Sequence, residues 1–288
     1  MANALEVNGL GKHFNKFSLS DITFTIPKGY ICGYVGRNGA GKTTTLNLIT
    51  HQMRADAGEV RIDGITYRGD PVRYKKSIGY IGDSNYVMPE LKVNDLKQIL
   101  KDFYDTFDGK KFQEMVDRWE LPVDKKIKTF SRGMQVRLMF AGVFARDTKL
   151  LILDEATNGL DPVMKQEVLE LLQAYIEDGE HSVLFSTHIL SDLEQIADYI
   201  FFLEKGKRVL FDTREELTEK YVLVRGGLED LDGKWQEKVL GLKESSLGFE
   251  GVMESDDAMM LPKACLIEKP TIDQLVVYMI REMEGERV

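Results

Sequence analysis

Three short stretches carry residues able to handle a polyphosphate. Gly36-Arg37-Asn38-Gly39-Ala40-Gly41-Lys42-Thr43 fits the pattern G-x-x-x-x-G-K-[ST]. Glycines let the backbone curl until successive N–H groups point into one hollow, and a following helix adds the positive end of its dipole. The anion is then held by amides rather than by bulky side chains. Lys42 can reach the β- and γ-phosphates, and the Thr43 hydroxyl is placed to bind Mg²⁺. Further on, Leu150-Leu151-Ile152-Leu153 runs into Asp154-Glu155. An apolar strand ending in acids says little alone. Downstream of a phosphate loop, Asp154 would hold Mg²⁺ through its water shell and Glu155 would orient an attacking water. A free glutamate is a weak base, near pKa ~4.3, so its value would lie in position. His188 directly follows the run 182–187, where ligands sit in parallel sheets, and can hydrogen-bond a γ-phosphate.

These groups need strands that end where the loop and the acids begin. Residues 30–35 are largely apolar and read as a buried strand, and residues 44–49 open a helix. Residues 5–10 form a first strand. Residues 17–26 alternate, with Ile22, Phe24 and Ile26 on one face and Thr23 and Thr25 on the other, as in a half-buried antiparallel strand. Further strands are expected within 57–64 and at 78–81, 150–155 and 182–187, with a hairpin over 199–211. Leu96, Ile99, Leu100, Phe103 and Phe107 recur at helical spacing and predict a helix over 93–107; a second follows over 112–119. Ser131 can N-cap a helix reaching about residue 146, and Pro162 suits the first position of another. The strand-free patch over about 85–146 reads as a helical subdomain inserted into a sheet domain. The fold class is therefore α/β, a mixed sheet with an antiparallel β subdomain, the helical insertion and a small C-terminal appendage.

Composition narrows the partners. With 288 residues, one large domain or two unequal ones is expected. The formal net charge of −9 argues against a nucleic-acid-coating protein. Cys32 and Cys265 show no paired or metal-like spacing, which fits a reducing cytoplasm. The first residues lack the basic-then-apolar layout of a signal peptide, and no run approaches ~18 apolar residues, so any membrane connection is expected to go through a partner. Residues 221–270 have weak periodicity and many charges. Thr271-Ile272-Asp273-Gln274 is a capping box opening a helix with Ile272, Leu275, Val276, Met279, Ile280 and Met283 on one face. That face is expected to pack on the main domain or on a second copy of the chain.

Phosphate loop, Phe130-Ser131-Arg132-Gly133-Met134-Gln135, residues 150–155, Asn158-Gly159-Leu160-Asp161 and His188, in that order, resemble the nucleotide-binding subunit of an ABC transporter. The resemblance covers about residues 4–212, leaving 213–288 as an appendage. It implies a P-loop NTPase core that binds ATP and Mg²⁺ and hydrolyses ATP. It implies that Phe14 stacks on adenine, a role that position alone would not have given it. Gly36, Asn38, Gly39, Ala40, Gly41, Lys42, Thr43 and Thr44 match the phosphate-binding positions. Ser131 and Gly133 match signature residues that touch the γ-phosphate held by the other protomer. Asp161 matches the loop coupling the two sites, and His188 the switch histidine. One chain carries a single phosphate loop and a single signature, so two chains would meet head to tail around two ATP molecules, a homodimer. The other implied partner is an integral membrane permease, which would hold the chain peripherally on the inner face of the cell membrane. Arg132 and Met134 look like the exporter branch.

Two positions depart from the family. Its Mg²⁺-touching glutamine falls at Asp83, and its signature glutamine at Met134. A soluble ABC ATPase of translation or DNA maintenance is the alternative reading, but such relatives carry two such domains or long coiled-coil insertions. A GTPase would need the Asn-Lys-x-Asp motif, which is absent. If Asp83 keeps the metal role, Asp83→Ala should weaken the Mg²⁺ dependence of ATP turnover; a Mg²⁺ titration unchanged from wild type removes Asp83 from the site.

Overall fold

The centre of the fold is a set of five-residue strands with every residue buried: β3 (Ile31–Val35), β7 (Leu150–Asp154) and β8 (Ser182–Ser186). Strands covered on both faces read as continuous apolar runs, as these do. In this computed structural model, which describes residues 2–82, 89–231 and 233–285, the three lie parallel with β6 (Ile78–Gly82). With β9 (Tyr199–Glu204) and β10 (Lys207–Thr213) they make a six-stranded sheet in the order β10-β9-β3-β8-β7-β6. Tyr34 and Asp154 both pair with Ser186, so β3, β8 and β7 end level. The segments that follow them therefore share one edge.

A second sheet is antiparallel, in the order β2-β1-β4-β5, from β1 (Asn3–His13), β2 (Ser18–Pro27), β4 (Ala57–Ile62) and β5 (Ile65–Thr66). Ile22, Phe24 and Ile26 all point inward, as their alternation predicts. Phe24 meets Phe201 at 4.7 Å between ring centres, and Phe201 stacks on Tyr34 at 4.8 Å, so aromatic packing joins the two sheets.

Helices α1 (Lys42–Ile49), α2 (Pro71–Lys76), α3 (Val93–Phe103), α4 (Gly109–Arg118), α5 (Arg132–Phe144) and α6 (Pro162–Ile176) complete this part. α3 stops at Phe103, four residues short of the predicted end. Asp108 accepts hydrogen bonds from the Lys110 and Lys111 amides to start α4, so the chain must turn before it, and Phe107 packs on Phe112 from the turn. α2 was not expected; Asp70-Pro71 is its start signal, with Asp70 accepting from the Arg73 amide at 2.9 Å.

By packing, the chain divides into one unit of residues 1–188 and 201–211 and another of 189–200 and 212–288. The second unit holds α7 (Leu190–Ile196), α8 (Arg214–Lys220), α9 (Gly233–Gln236), α10 (Ser255–Ala258) and α11 (Ile272–Glu284). Its antiparallel sheet runs in the order β12-β13-β11-β14, from β11 (Tyr221–Gly226), β12 (Leu240–Ser245), β13 (Gly248–Glu254) and β14 (Leu266–Glu268). Val224, Trp235, Phe249 and Met253 share its core. The apolar face of α11 rests on α7, within the residues assigned to the main domain as expected, and on β12 and β13 of a sheet that was not expected. Leu275, Val276 and Met279 are buried there.

The fit between α11 and β12 depends on Gly241, which has φ +61° and whose added Cβ would overlap the Tyr278 carbonyl oxygen. Gly241→Ala should cost more than about 1 kcal/mol and strip hydrogen-exchange protection from α11 amides. Unchanged protection would show that this approach does not hold α11 down.

Candidate functional site

The phosphate loop follows β3 and leads into α1, with Gly39 at φ +82° and Gly41 at φ +112°. An added Cβ on Gly36 would lie 2.5 Å from the Leu203 carbonyl oxygen, and one on Gly41 would lie 2.7 Å from Phe17 Cζ. Glycine lets the backbone approach Leu203 at Gly36 and take a positive φ at Gly41. Tyr34 donates to Thr45 Oγ1 at 3.0 Å, fixing α1 to the strand before it. The result is a hollow of about 430 Å³ lined by the loop, Thr43, Thr44, Asp154, Glu155, Asn158, His188 and Phe17.

Within it, Lys42 is buried and its ammonium donates to the Gly36 carbonyl at 2.7 Å. The same nitrogen lies 3.3 Å from Glu155 Oε1. Glu155 leaves β7 with φ +54°, and its amide donates to the Ser186 carbonyl at 3.0 Å. That turn aims the carboxylate back across the sheet edge. Its Oε2 accepts from Asn158 Nδ2 at 2.9 Å and from His188 Nδ1 at 2.7 Å. In this arrangement the His188 proton is on Nδ1. Thr43 Oγ1 donates to Asp154 Oδ1 at 3.4 Å, and Tyr80 OH to Asp154 Oδ2 at 3.2 Å.

The two neighbouring carboxyls are tuned apart. Burial pushes Asp154 above the usual aspartate value, and the Thr43 and Tyr80 hydrogen bonds do not cancel it. Burial also pushes Glu155 upward, but the His188 hydrogen bond, the Lys42 charge and the Asn158 hydrogen bond outweigh it and hold Glu155 below the usual glutamate value. The chemistry of the hollow is therefore one buried cation, one firmly ionised carboxylate, one carboxyl that ionises less readily, and a hydroxyl. Thr43 and Asp154 are hard oxygen donors of the kind Mg²⁺ takes, with the rest of its shell left to phosphate and water.

The structure brings Lys42, Thr43, Thr44, Asn38, Gly39, Gly41, Asp154, Glu155 and His188 together around one hollow. Gly36 and Ala40 are buried in the loop that frames it. Phe14 is 43% exposed and does not line the hollow; its ring centre lies 6.2 Å from that of Phe17, which does. Ser131 is exposed at the start of α5, accepting from the Met134 amide at 3.3 Å, and Gly133 follows in the same helix. Asp161 caps α6, accepting from the Val163 and Met164 amides at 3.0 Å. None of these three lines the hollow. Asp83 lies outside the described residues. Phe17, Tyr80 and the side chain of Asn158 were missed. Asn158 stands in a recognisable loop, whereas nothing in the spacing of Phe17 or Tyr80 marks them.

Fold and hollow together define a nucleotide-binding cassette of the P-loop type, and comparison with known proteins gives its family. The family described as "ABC transporter" matches residues 19–158. The ABC transporter ATP-binding protein YtrB of Bacillus subtilis (strain 168) is 34% identical over 72% of this chain and 70% of its own. The lantibiotic transport ATP-binding protein SrtF of Streptococcus pyogenes is 31% identical over 75% of this chain and 95% of its own. A solved structure described as an ATP-binding subunit of an ABC transporter superposes with a TM-score of 0.69 at 26% identity, covering 74% of this chain and 91% of that one. The chain belongs to the ABC transporter family, among its ATP-binding proteins.

The sign of each carboxyl shift fixes its pH effect. A raised Asp154 binds its proton more tightly folded than unfolded, so its ionisation withdraws stability as pH rises from the usual aspartate value to the raised one. Glu155 works oppositely: its contribution is complete above the usual glutamate value and is lost as pH falls through the lowered one. Carboxyl-carbon NMR titration of the ligand-free chain should place Asp154 above the ordinary aspartate value and Glu155 below the ordinary glutamate value, with Asp154→Asn and Glu155→Gln each removing its own step. Asp154 titrating at or below the ordinary value contradicts the burial argument.

Proposed function

We propose that this chain hydrolyses ATP to ADP and phosphate and so drives a separate membrane-spanning permease, in the direction of export. The observation that carries the reading is Glu155, held by Lys42, Asn158 and His188 at the edge where the phosphate loop opens. The names of YtrB and SrtF support transport, and Arg132 and Met134 lean toward export. Residues 1–212 would be the ATP-binding domain and 213–288 its appendage.

Lys42 and the loop amides take up the charge of the phosphates. Glu155 accepts a hydrogen bond from water and holds its oxygen toward the γ-phosphorus. The bond to the β–γ bridging oxygen breaks as the new P–O bond forms, ADP leaves with the electron pair, and the water's proton passes to an oxygen of the phosphate that forms. The gain lies in positioning, because a carboxylate of lowered pKa is a poor base. Mg²⁺, held by Thr43 and Asp154, would supply charge neutralisation at the phosphates. With Nδ1 engaged by Glu155, His188 can donate from Nε2 to a phosphate only when both ring nitrogens carry protons. Phe14 would stack on the base. Ser131 and Gly133 would complete the site of a partner copy, with Asp161 near the junction, because they stand outside this chain's own hollow. Among the described residues no helix is long and apolar enough to cross a membrane, so attachment to the inner face would run through the permease.

Glu155→Gln should still bind ATP, lose turnover by about 10²–10⁴-fold, and accumulate an ATP-dependent dimer in size-exclusion light scattering. A chain that stays monomeric at every ATP concentration, in wild type and variant alike, overturns the composite site.

A further inference from the structure

A second hollow, sharing no residue with the first, lies at the far end of α1. It measures about 250 Å³ and is bounded by β4, β5 and the turn into α2. Leu10, Leu48 and Tyr74 are buried at its floor. One wall carries an aromatic pair, His51 stacked on Tyr67 with ring centres 3.6 Å apart and planes 29° from parallel, and Tyr74 meets Tyr67 edge-on at 5.8 Å. The wall is fixed from behind. Tyr74 OH donates to the Ile49 carbonyl at 2.6 Å and Lys75 Nζ to the Thr50 carbonyl, so α2 caps the last carbonyls of α1.

The mouth is cationic. Arg54 and Arg68 both line it, both are exposed, and among the described residues neither has an ion pair. The one acid in the lining, Glu59, is answered by Arg61 at 2.6 Å. Burial lowers the proton affinity of His51, and the charges of Lys75, Arg68 and Arg54 lower it further, so the positive field converges inside.

We propose that this hollow binds a small amphipathic anion, a flat apolar body carrying one carboxylate. A dry cavity of ~150 Å³ already holds benzene, so the volume suits one ring with its acid group at the mouth. The ring would lie on the His51–Tyr67 wall and displace water from Leu10 and Leu48. The carboxylate would take the unpaired guanidinium groups of Arg54 and Arg68, whose fork geometry matches it. A neutral or cationic ligand of the same shape would leave those charges unanswered. The proposal is independent of ATP hydrolysis, since it uses neither the phosphate loop nor Glu155.

The test uses the whole chain and three probes: 4-fluorobenzoate, 4-fluorobenzamide and acetate. Affinities are read from ¹⁹F line broadening, with acetate measured by competition. Fluorobenzoate should bind with Kd about 1 mM, as expected for so few heavy atoms. The benzamide and acetate should each bind at least about fivefold more weakly. Arg54→Gln and Arg68→Gln, both at exposed positions, should each weaken fluorobenzoate at least about fivefold. Equal binding of benzamide removes the role of charge, and equal binding of acetate removes that of the apolar wall. Full affinity in both arginine variants places the probe elsewhere. Any of these outcomes, or no binding at all to about 10 mM, overturns the proposal.

Discussion

Holding a polyanion with main-chain amides demands that the backbone come close, and that demand shapes the first unit. Gly36 and Gly41 have no Cβ, and the space is used: the Leu203 carbonyl and the Phe17 ring press where side chains would otherwise stand. The loop is thereby clamped between the sheet and the first hairpin, and Gly206 of the β9–β10 turn donates to the Ala40 carbonyl at 2.9 Å on its outer side. A loop fixed in this way loses little entropy when a ligand arrives.

The level ends of β3, β8 and β7 then decide which side chains meet. β8 lies between the strand that leads to Lys42 and the strand that leads to Glu155, and it delivers His188 beside both. Two carboxyls adjacent in sequence end in opposite circumstances. Asp154 still belongs to a buried strand, whereas Glu155 has turned out of it toward cations and donors. Environments that push neighbouring acids apart are what allow one to remain a firm anion while the other answers to its ligands.

Much of this was legible before any coordinates. The phosphate loop, the acids after residues 150–153 and the histidine after 182–187 were readable because glycine spacing and fully apolar runs are strong local signals. The sheet of the second unit was not. Tyr221-Val222-Leu223-Val224 belongs to a sheet strand with both Leu223 and Val224 buried, so no alternation shows, and Gly241 and Gly251 interrupt its neighbours. The sheet beneath α11 was invisible for the same reason, although its contact with α7 was within the expectation. Phe17 lines the hollow from a hairpin and Tyr80 reaches Asp154 from β6, and such approach across strands leaves no trace in linear spacing.

Glu155 stands in the left-handed backbone region, where an L-residue other than Asn or Asp is ill at ease and glycine would rest without strain. The fold thus keeps a charged side chain at a corner that conformational comfort would assign to the smallest residue. If Glu155 positions the attacking water as proposed, sturdiness and chemistry compete at this one position, and a search for thermotolerant variants of this chain would be drawn toward the substitution that silences it.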